Sequence, residues 1–132
     1  MIIQKILLVD DDRDTLHLVK NVLQQAGLTV LCAQSGEEAI VVLEKKSFRL
    51  MITDLNMHPG MNGFTLSRKA ARIAPLMPII MCTGDISLEI PRLAEDAGIT
   101  TVLGKPYNPE ELLNAIQVIL VPDCVSPRAV SN

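Results

Sequence analysis

The sequence predicts an α/β domain built on an open, doubly wound parallel sheet. Five short apolar runs alternate with helical patterns, and the connections between them are short. Apolar runs that end abruptly at polar residues are typical of strands buried on both faces of a sheet. Strand–helix alternation implies parallel strands with right-handed crossovers, and five such units are too few for an eight-stranded barrel.

Each predicted strand is an apolar run that stops at a polar or turn-forming residue. The five runs span residues 2–9, 28–33, 48–53, 79–82 and 99–103. The first run stops at Asp10, the third at Asp54 and the fourth at Thr83. Because sites in open parallel sheets lie at the carboxyl ends of the strands, we expect these three residues on one functional rim.

The predicted helices combine apolar residues at helical spacing with residues that favour helix ends. Leu16, Val19 and Leu23 mark one face of the first helix, which ends at Gly27. The later helices are indicated by a capping box at Ser35 and Glu38, a pattern over residues 64–73, a weaker pattern over residues 87–97, and an Asn108 cap followed by Pro109. We assign residues 1–120 to one domain and residues 121–132 to a tail or linker.

The composition argues against several classes of function. With 132 residues and 48% hydrophobic side chains, the chain can bury a core. Its net charge of −3 and lack of a basic run argue against direct nucleic-acid binding. No apolar stretch approaches the roughly 18 residues of a membrane span, and the N-terminal residues do not resemble a signal peptide. Cys32, Cys82 and Cys124 lack paired spacing, so we expect reduced thiols in a cytoplasmic protein.

The residues at the strand ends form a candidate chemical site. An aspartate triplet, residues 10–12, follows the first strand. Three adjacent carboxylates repel one another unless a cation or a Lys offsets their charge. The same rim should hold Asp54, the Thr83 hydroxyl and Lys105, which follows the fifth strand. The pattern therefore favours a cation site at the carboxyl edge of the sheet.

An all-oxygen site for Mg²⁺ fits these residues better than a zinc site. The two histidines, His17 and His58, are both expected to be surface side chains. Carboxylates, a cation, a Lys and a hydroxyl are what phosphoryl transfer to an aspartate requires. In that chemistry a carboxylate is the nucleophile, while the cation and the Lys neutralise phosphoryl oxygens.

The same segments resemble the motifs of response-regulator receiver domains. The matching segments are residues 6–12, 51–54, 59–63, 80–84 and 105–107. Each motif alone is weak, but five in the right order are specific, and the resemblance covers residues 2–120. It implies a flavodoxin-like (βα)5 fold with strand order 2-1-3-4-5. It also implies a two-component signalling module rather than an enzyme.

The resemblance implies a role for each site residue. Asp54 is the expected phosphoacceptor, Thr83 and Lys105 would contact the phosphoryl group, and Asp12 would be peripheral. The expected Mg²⁺ ligands are Asp10, Asp11, Asp54 and the backbone carbonyl of Asn56. The phosphoryl donor would be a sensor histidine kinase or a phosphotransfer protein, and the target an unknown downstream protein. A homodimer through the fourth helix, fifth strand and fifth helix is left open.

Two positions depart from the pattern of the family. Pro59 and Gly63 each lie one residue farther from Asp54 than usual, which indicates one inserted residue, with His58 the candidate. This insertion affects the path of the loop that carries Asn56. Val102 stands where the family often has an aromatic residue that changes rotamer on activation. An aromatic switch is therefore excluded at that position.

Two other functions compete with the receiver interpretation. One is a pseudo-receiver that acts as a phosphorylation-independent adaptor, which the loop insertion favours and the full acidic set disfavours. The other is a phosphotransferase of the haloacid-dehalogenase type, which also uses an aspartate after its first strand. Asp10 and Asp12 fit the opening motif of such enzymes, but Asp14 does not, and these enzymes usually need a longer chain.

Overall fold

The computed structural model of the protein describes residues 5–120, in which five strands alternate with five helices. The strands are β1 (Lys5–Val9), β2 (Thr29–Ala33), β3 (Leu50–Asp54), β4 (Ile79–Thr83) and β5 (Thr101–Gly104). The helices are α1 (Arg13–Gln25), α2 (Gly36–Lys45), α3 (Gly63–Ile73), α4 (Ile90–Asp96) and α5 (Pro109–Leu120). Over this part of the chain, no helix has both the length and the apolar character needed to cross a membrane.

The five strands form one parallel sheet in the order β2-β1-β3-β4-β5. This order confirms the predicted doubly wound fold. From β1, the path of the described residues moves outward to β2 and then returns past β1 to β3. The direction of winding therefore reverses between β1 and β3, which is where sites form in such sheets.

Two hydrophobic clusters cover the two faces of the sheet. Leu7 and Met51 belong to the larger cluster, which includes side chains of α2, α3 and α4. Leu8 and Ile52 belong to the other cluster, which includes side chains of α1 and α5. Successive residues of one strand therefore supply opposite faces, as the two-residue period of a strand requires. Burial on both faces explains why these strands are unbroken apolar runs.

Side chains cap the helices where the sequence predicted caps. The Ser35 hydroxyl accepts a hydrogen bond from the Glu38 N–H at 3.0 Å. Asn108 and Glu111 form a reciprocal pair, in which each side chain accepts from the other's backbone N–H at 2.8 and 2.9 Å. Because the first turn of a helix has unpaired N–H groups, these bonds fix where α2 and α5 begin.

The predicted boundaries need correction around the fourth helix. The pattern placed that helix over residues 87–97, whereas α4 begins at Ile90. The Ser87 side chain instead accepts from the Glu89 N–H at 3.3 Å, a local bond that competes with helix formation. The apolar pattern predicts Ile99 in the fifth strand, but its N–H donates to the Ala94 carbonyl and closes α4.

Smaller differences concern the other strand ends, whereas the two cysteines among the described residues are free, as expected. β3 begins at Leu50 rather than Phe48, and β4 extends to include Thr83. Cys82 is buried and Cys32 is half-buried, and both are free thiols. The predicted start of the first strand at residues 2–4, the tail at residues 121–132 and Cys124 lie outside the described residues.

Candidate functional site

The register of the sheet brings the predicted site residues to one rim. Asp54 is the last residue of β3 and pairs with Cys82 of β4. Thr83, the last residue of β4, pairs with Gly104, which precedes Lys105. Asp10 directly follows β1, whose neighbour on this side is β3. The carboxylates, the hydroxyl and the ammonium group therefore lie at adjacent strand ends.

Asp10, Asp11 and Asp54 form an acidic cluster. One carboxylate oxygen from each residue lies within 4.8 Å of the others. Asp10 is buried, Asp54 is partly buried and Asp11 is exposed. Burial raises the pKa of Asp10 to about 6, and the negative charge of Asp54 adds to this rise, against a hydrogen bond from the Asp12 N–H. Three oxygen donors at this spacing fit a hard divalent cation such as Mg²⁺.

Lys105 supplies the positive charge of the site. Its Nζ lies 2.8 Å from Oδ1 of Asp54, and the Lys105 side chain is about one-third exposed. Burial by itself lowers the pKa of Lys105, but the hydrogen bond and the charge of Asp54 outweigh it and raise the pKa overall. The Lys105 N–H also donates to the Thr83 carbonyl at 2.8 Å, which fixes the start of its loop. The ammonium group is therefore charged and held beside Asp54.

Thr83 starts a series of local hydrogen bonds that leads to α4. Its hydroxyl oxygen accepts from the Asp85 N–H at 3.0 Å, and the Asp85 carboxylate accepts from the Ser87 N–H at 2.8 Å. The Ser87 hydroxyl then accepts from Glu89, the residue before α4. Thr83 itself is buried. Since its oxygen already accepts this bond, its hydroxyl proton remains available to donate.

Asp12 differs from the two aspartates before it. Its side chain accepts from the Asp14 N–H at 3.1 Å and from the Thr15 hydroxyl at 2.8 Å, and it caps α1. These bonds lower the pKa of Asp12, with the Thr15 hydroxyl contributing most. Asp12 is therefore a helix cap, outside the acidic cluster that Asp10 and Asp11 share with Asp54.

The β3–α3 loop, residues 55–62, closes one side of the acidic cluster. The His58 N–H donates to Oδ2 of Asp11 at 3.1 Å, across 47 positions of sequence. Asn56 is exposed two residues after Asp54, and its backbone carbonyl accepts no hydrogen bond within the described part of the chain. The β3–α3 loop thus contacts the acidic cluster through the backbone of His58, and the Asn56 carbonyl keeps its lone pairs free.

The histidine side chains, Cys82 and Val102 lie in surroundings that give them no chemical role at the site. His17 and the side chain of His58 are exposed, as expected for surface histidines. Burial raises the pKa of the Cys82 thiol to about 11, so it is a neutral core side chain. Val102 is half-buried against the larger cluster. The acidic cluster contains neither His nor Cys, which disfavours zinc there.

Two residues that hold the loops around the site, Asp85 and Glu37, are not predicted by the sequence pattern. Asp85 links Thr83 to Ser87, and Glu37 of α2 contacts the β3–α3 loop by accepting from the Met61 N–H at 3.3 Å. The only signal for Asp85 was its position two residues after a strand-end Thr, where side chains often bond nearby backbone. Glu37 gave no signal, because its contact joins segments 24 positions apart.

Comparison with known sequences identifies one family. The model of the response regulator receiver domain matches residues 6–117. The receiver protein CpdR of Brucella abortus (strain 2308) is 31% identical over 118 residues, which cover 89% of this chain and 98% of CpdR. The transcriptional regulatory protein CpxR of Escherichia coli (strain K12) is 40% identical over 117 residues, covering 88% of this chain and 49% of CpxR. The chain therefore spans nearly all of CpdR but about half of CpxR.

Solved structures show the same fold. The chemotaxis protein CheY4 of Vibrio cholerae has a TM-score of 0.85 and 36% identity, covering 90% of this chain and 100% of that one. A CheY-like receiver domain from Methanospirillum hungatei JF-1 has a TM-score of 0.86 and 35% identity, covering 90% of this chain and 94% of that one. These similarities confirm the resemblance seen in the sequence, and they favour neither the adaptor nor the dehalogenase-type alternative.

Proposed function

The chain belongs to the response regulator receiver domain family, and on that premise we propose that Asp54 is its phosphoacceptor. The donor would be a phosphohistidine on a sensor histidine kinase or a phosphotransfer protein. The observation that carries this proposal is the pairing of Asp54 with Lys105 at 2.8 Å inside a three-carboxylate cluster. Phosphoryl transfer to an aspartate uses these groups together: a carboxylate nucleophile, a cation, and a fixed ammonium group that stabilises the phosphoryl charge.

Mg²⁺ is the cation that best fits the acidic cluster. The groups that would hold it are Asp10, Asp11, Asp54 and the backbone carbonyl of Asn56. All of these donors are oxygens, and Mg²⁺ takes one or two carboxylates while keeping several waters. When bound, the ion would supply positive charge against the phosphoryl oxygens, which an acidic rim otherwise repels.

The side chains around Asp54 suit in-line transfer of the phosphoryl group. A carboxylate oxygen of Asp54 would attack the phosphorus, so that a new O–P bond replaces the P–N bond of the donor. The bonding electron pair stays on the departing imidazole nitrogen. Lys105 would move its contact from the carboxylate to a phosphoryl oxygen, and the free hydroxyl proton of Thr83 would be donated to another.

The output of the domain would begin at the β4–α4 loop, residues 84–89. A phosphoryl group that draws the Thr83 hydroxyl toward Asp54 would change the bond from Asp85, which is the first of the three local bonds leading to α4. Ile86 and Leu88 in this loop are 93% and 96% exposed. Because Val102 replaces the usual aromatic residue, we assign signal transmission to this loop and the surface near it.

The partners follow from the same proposal. A downstream protein would read the surface around α4, and a homodimer through α4, β5 and α5 is the alternative use of that surface. Neither role involves nucleic acid, consistent with a net charge of −3. We place the protein in the cytoplasm, which the free thiols Cys32 and Cys82 support.

Phosphorylation of the purified protein tests the proposal. Incubation with MgCl₂ and acetyl phosphate should give a single phosphoryl adduct by intact-mass measurement, and Asp54→Asn should give none. Asp96→Asn is the matched control, since Asp96 is an exposed carboxylate at the end of α4, outside the acidic cluster. An adduct that persists in Asp54→Asn, or that needs no divalent cation, would contradict the assignment.

A further inference from the structure

The β3–α3 loop is fastened to the first turn of α2, and this contact has a consequence for the cation site. We propose that Glu37 is a positioning residue: it holds the lengthened loop so that the His58 N–H orients the Asp11 carboxylate. This inference rests on the proposed function, because it takes Asp11 as a cation ligand. Glu37 itself lies outside the acidic cluster.

Three contacts form the attachment between the loop and α2. Oε2 of Glu37 accepts from the Met61 N–H at 3.3 Å. Gly60 has a φ of +113°, and a Cβ at that position would lie 2.7 Å from Oε1 of Glu37, so the carboxylate occupies the space beside it. The Met61 side chain packs over Gly36, where any Cβ would overlap it. Together these contacts fix residues 60–61 against α2.

The two ends of the loop are fixed as well. The Gly63 N–H donates to the Leu55 carbonyl at 2.8 Å, and Asn62 caps α3 by accepting from the Thr65 N–H at 3.0 Å. Met57 is fully buried. His58 therefore lies in the short span between a buried anchor at Met57 and the attachment at residues 60–61. The position of its backbone N–H is determined by both.

The bond from His58 defines the orientation of an otherwise exposed carboxylate. The His58 N–H donates to Oδ2 of Asp11 at 3.1 Å, which leaves the other carboxylate oxygen free for a cation. Groups that hydrogen-bond to metal ligands in this way typically affect metal affinity by about 10–100-fold. The geometry therefore links Glu37 to cation binding through the loop and Asp11, although Glu37 is not a ligand.

The neighbouring glutamates of α2 allow this role to be separated from a simple charge effect. Glu38 is engaged elsewhere, because its Oε1 accepts from the Gln34 N–H at 2.6 Å. Glu44 is exposed and makes no side-chain hydrogen bond to the described residues. Glu37→Gln keeps an oxygen that can accept from Met61 but removes the negative charge. Glu37→Ala removes both.

Mg²⁺ affinity measured by isothermal titration calorimetry tests the proposal. We expect Glu37→Ala to weaken Mg²⁺ binding by about tenfold, Glu37→Gln by less than about threefold, and Glu44→Ala not at all. In the metal-free protein, Glu37→Ala should also shift the amide resonances of His58 and Met61 and speed their hydrogen exchange.

The outcomes separate this inference from the proposed function. Equal losses in Glu37→Gln and Glu37→Ala would show that charge alone matters and would overturn the positioning role. Unchanged affinity in Glu37→Ala, in a protein that binds Mg²⁺ and is phosphorylated, would do the same while leaving the proposed function intact. Failure of the wild-type protein to bind Mg²⁺ would instead overturn the proposed function, and this inference with it.

Discussion

The loops that leave β3 and β4 begin at neighbouring strand ends but are held in opposite ways. The β3–α3 loop contacts two other segments, through the bond from His58 to Asp11 and the bond from Met61 to Glu37. The β4–α4 loop has bonds that run mainly within the segment from Thr83 to Glu89. This difference indicates that the β3–α3 loop holds the groups beside the acidic cluster in a fixed position. The second loop is held mainly by bonds within itself, so a change in its shape would break few bonds to other segments.

The largest expected contrast is between one apolar side chain in each loop. Met57 is 1% exposed and Leu88 is 96% exposed. We expect Met57→Ala to lower the free energy of unfolding by about 2–5 kcal/mol, because it leaves a cavity in the larger cluster. Leu88→Ala should change it by less than about 0.5 kcal/mol. Urea unfolding followed by far-UV circular dichroism measures both, and a large loss in Leu88→Ala would mean that the β4–α4 loop packs in solution.

The ionised carboxylate of buried Asp10 lowers the stability of the folded protein, and this effect depends on pH. The rise in the pKa of Asp10 from 3.8 to about 6 means that the folded protein binds this proton more tightly than the unfolded chain does. In metal-free protein, ionised Asp10 therefore lowers stability, and the loss develops as pH rises from about 4 to about 6. We expect Asp10→Asn to raise the free energy of unfolding by about 2–3 kcal/mol at pH 7.5.

The gain in the free energy of unfolding from Asp10→Asn should become smaller in acid. At pH 4.5 Asp10 is largely protonated in the folded state, and the gain should fall to about 1 kcal/mol. Urea unfolding in EDTA at the two pH values checks the sign. Asp12→Asn, at an exposed helix cap, serves as the comparison and should not show a gain at pH 7.5. A gain for Asp10→Asn that is independent of pH would argue against burial of a charge as the cause.

A smaller contrast compares one glycine in each loop. Gly60 has a φ of +113° and faces the Glu37 carboxylate, whereas a Cβ at Gly84 would meet only Lys105 Cβ at 3.9 Å. Gly60→Ala should destabilise the protein by about 1–2 kcal/mol, because an L-residue is strained at that φ. Gly84→Ala should stay within about 0.5 kcal/mol of wild type. Thermal unfolding of the two variants distinguishes them, and equal effects would show that both loops are equally constrained.

Much of the fold could be predicted because its signals are local. The apolar runs, the caps at Ser35 and Asn108 and the strand-end positions of Asp54 and Thr83 are all visible within a few residues. The error at the fourth helix has a local cause as well. The side chains of Asp85 and Ser87 each accept from the backbone N–H two residues later, and Pro91 lacks an N–H, so the helix begins later than its apolar pattern suggests.

The contacts of the β3–α3 loop could not be predicted, because they depend on residues far apart in sequence. The sequence pattern predicts an extra residue near His58, but it does not predict which contacts the loop makes. The bond to Asp11 joins positions 47 apart, and the bond to Glu37 joins positions 24 apart. Neither follows from spacing or composition. The register of the sheet and the approach of α2 to the loop decide them.

The described site holds one ion pair, between Lys105 and Asp54, and this sets the charge balance that the proposed phosphorylation would face. Asp10, Asp11 and Asp54 bring three carboxylates to the rim, and Lys105 brings one ammonium group, so at neutral pH the rim retains an excess of negative charge. A phosphoryl donor approaching alone meets net repulsion. A divalent cation alone neutralises the rim but transfers nothing. If the proposed function holds, the domain would register a signal only when a cation and a phosphoryl donor are present together, and would so detect their coincidence.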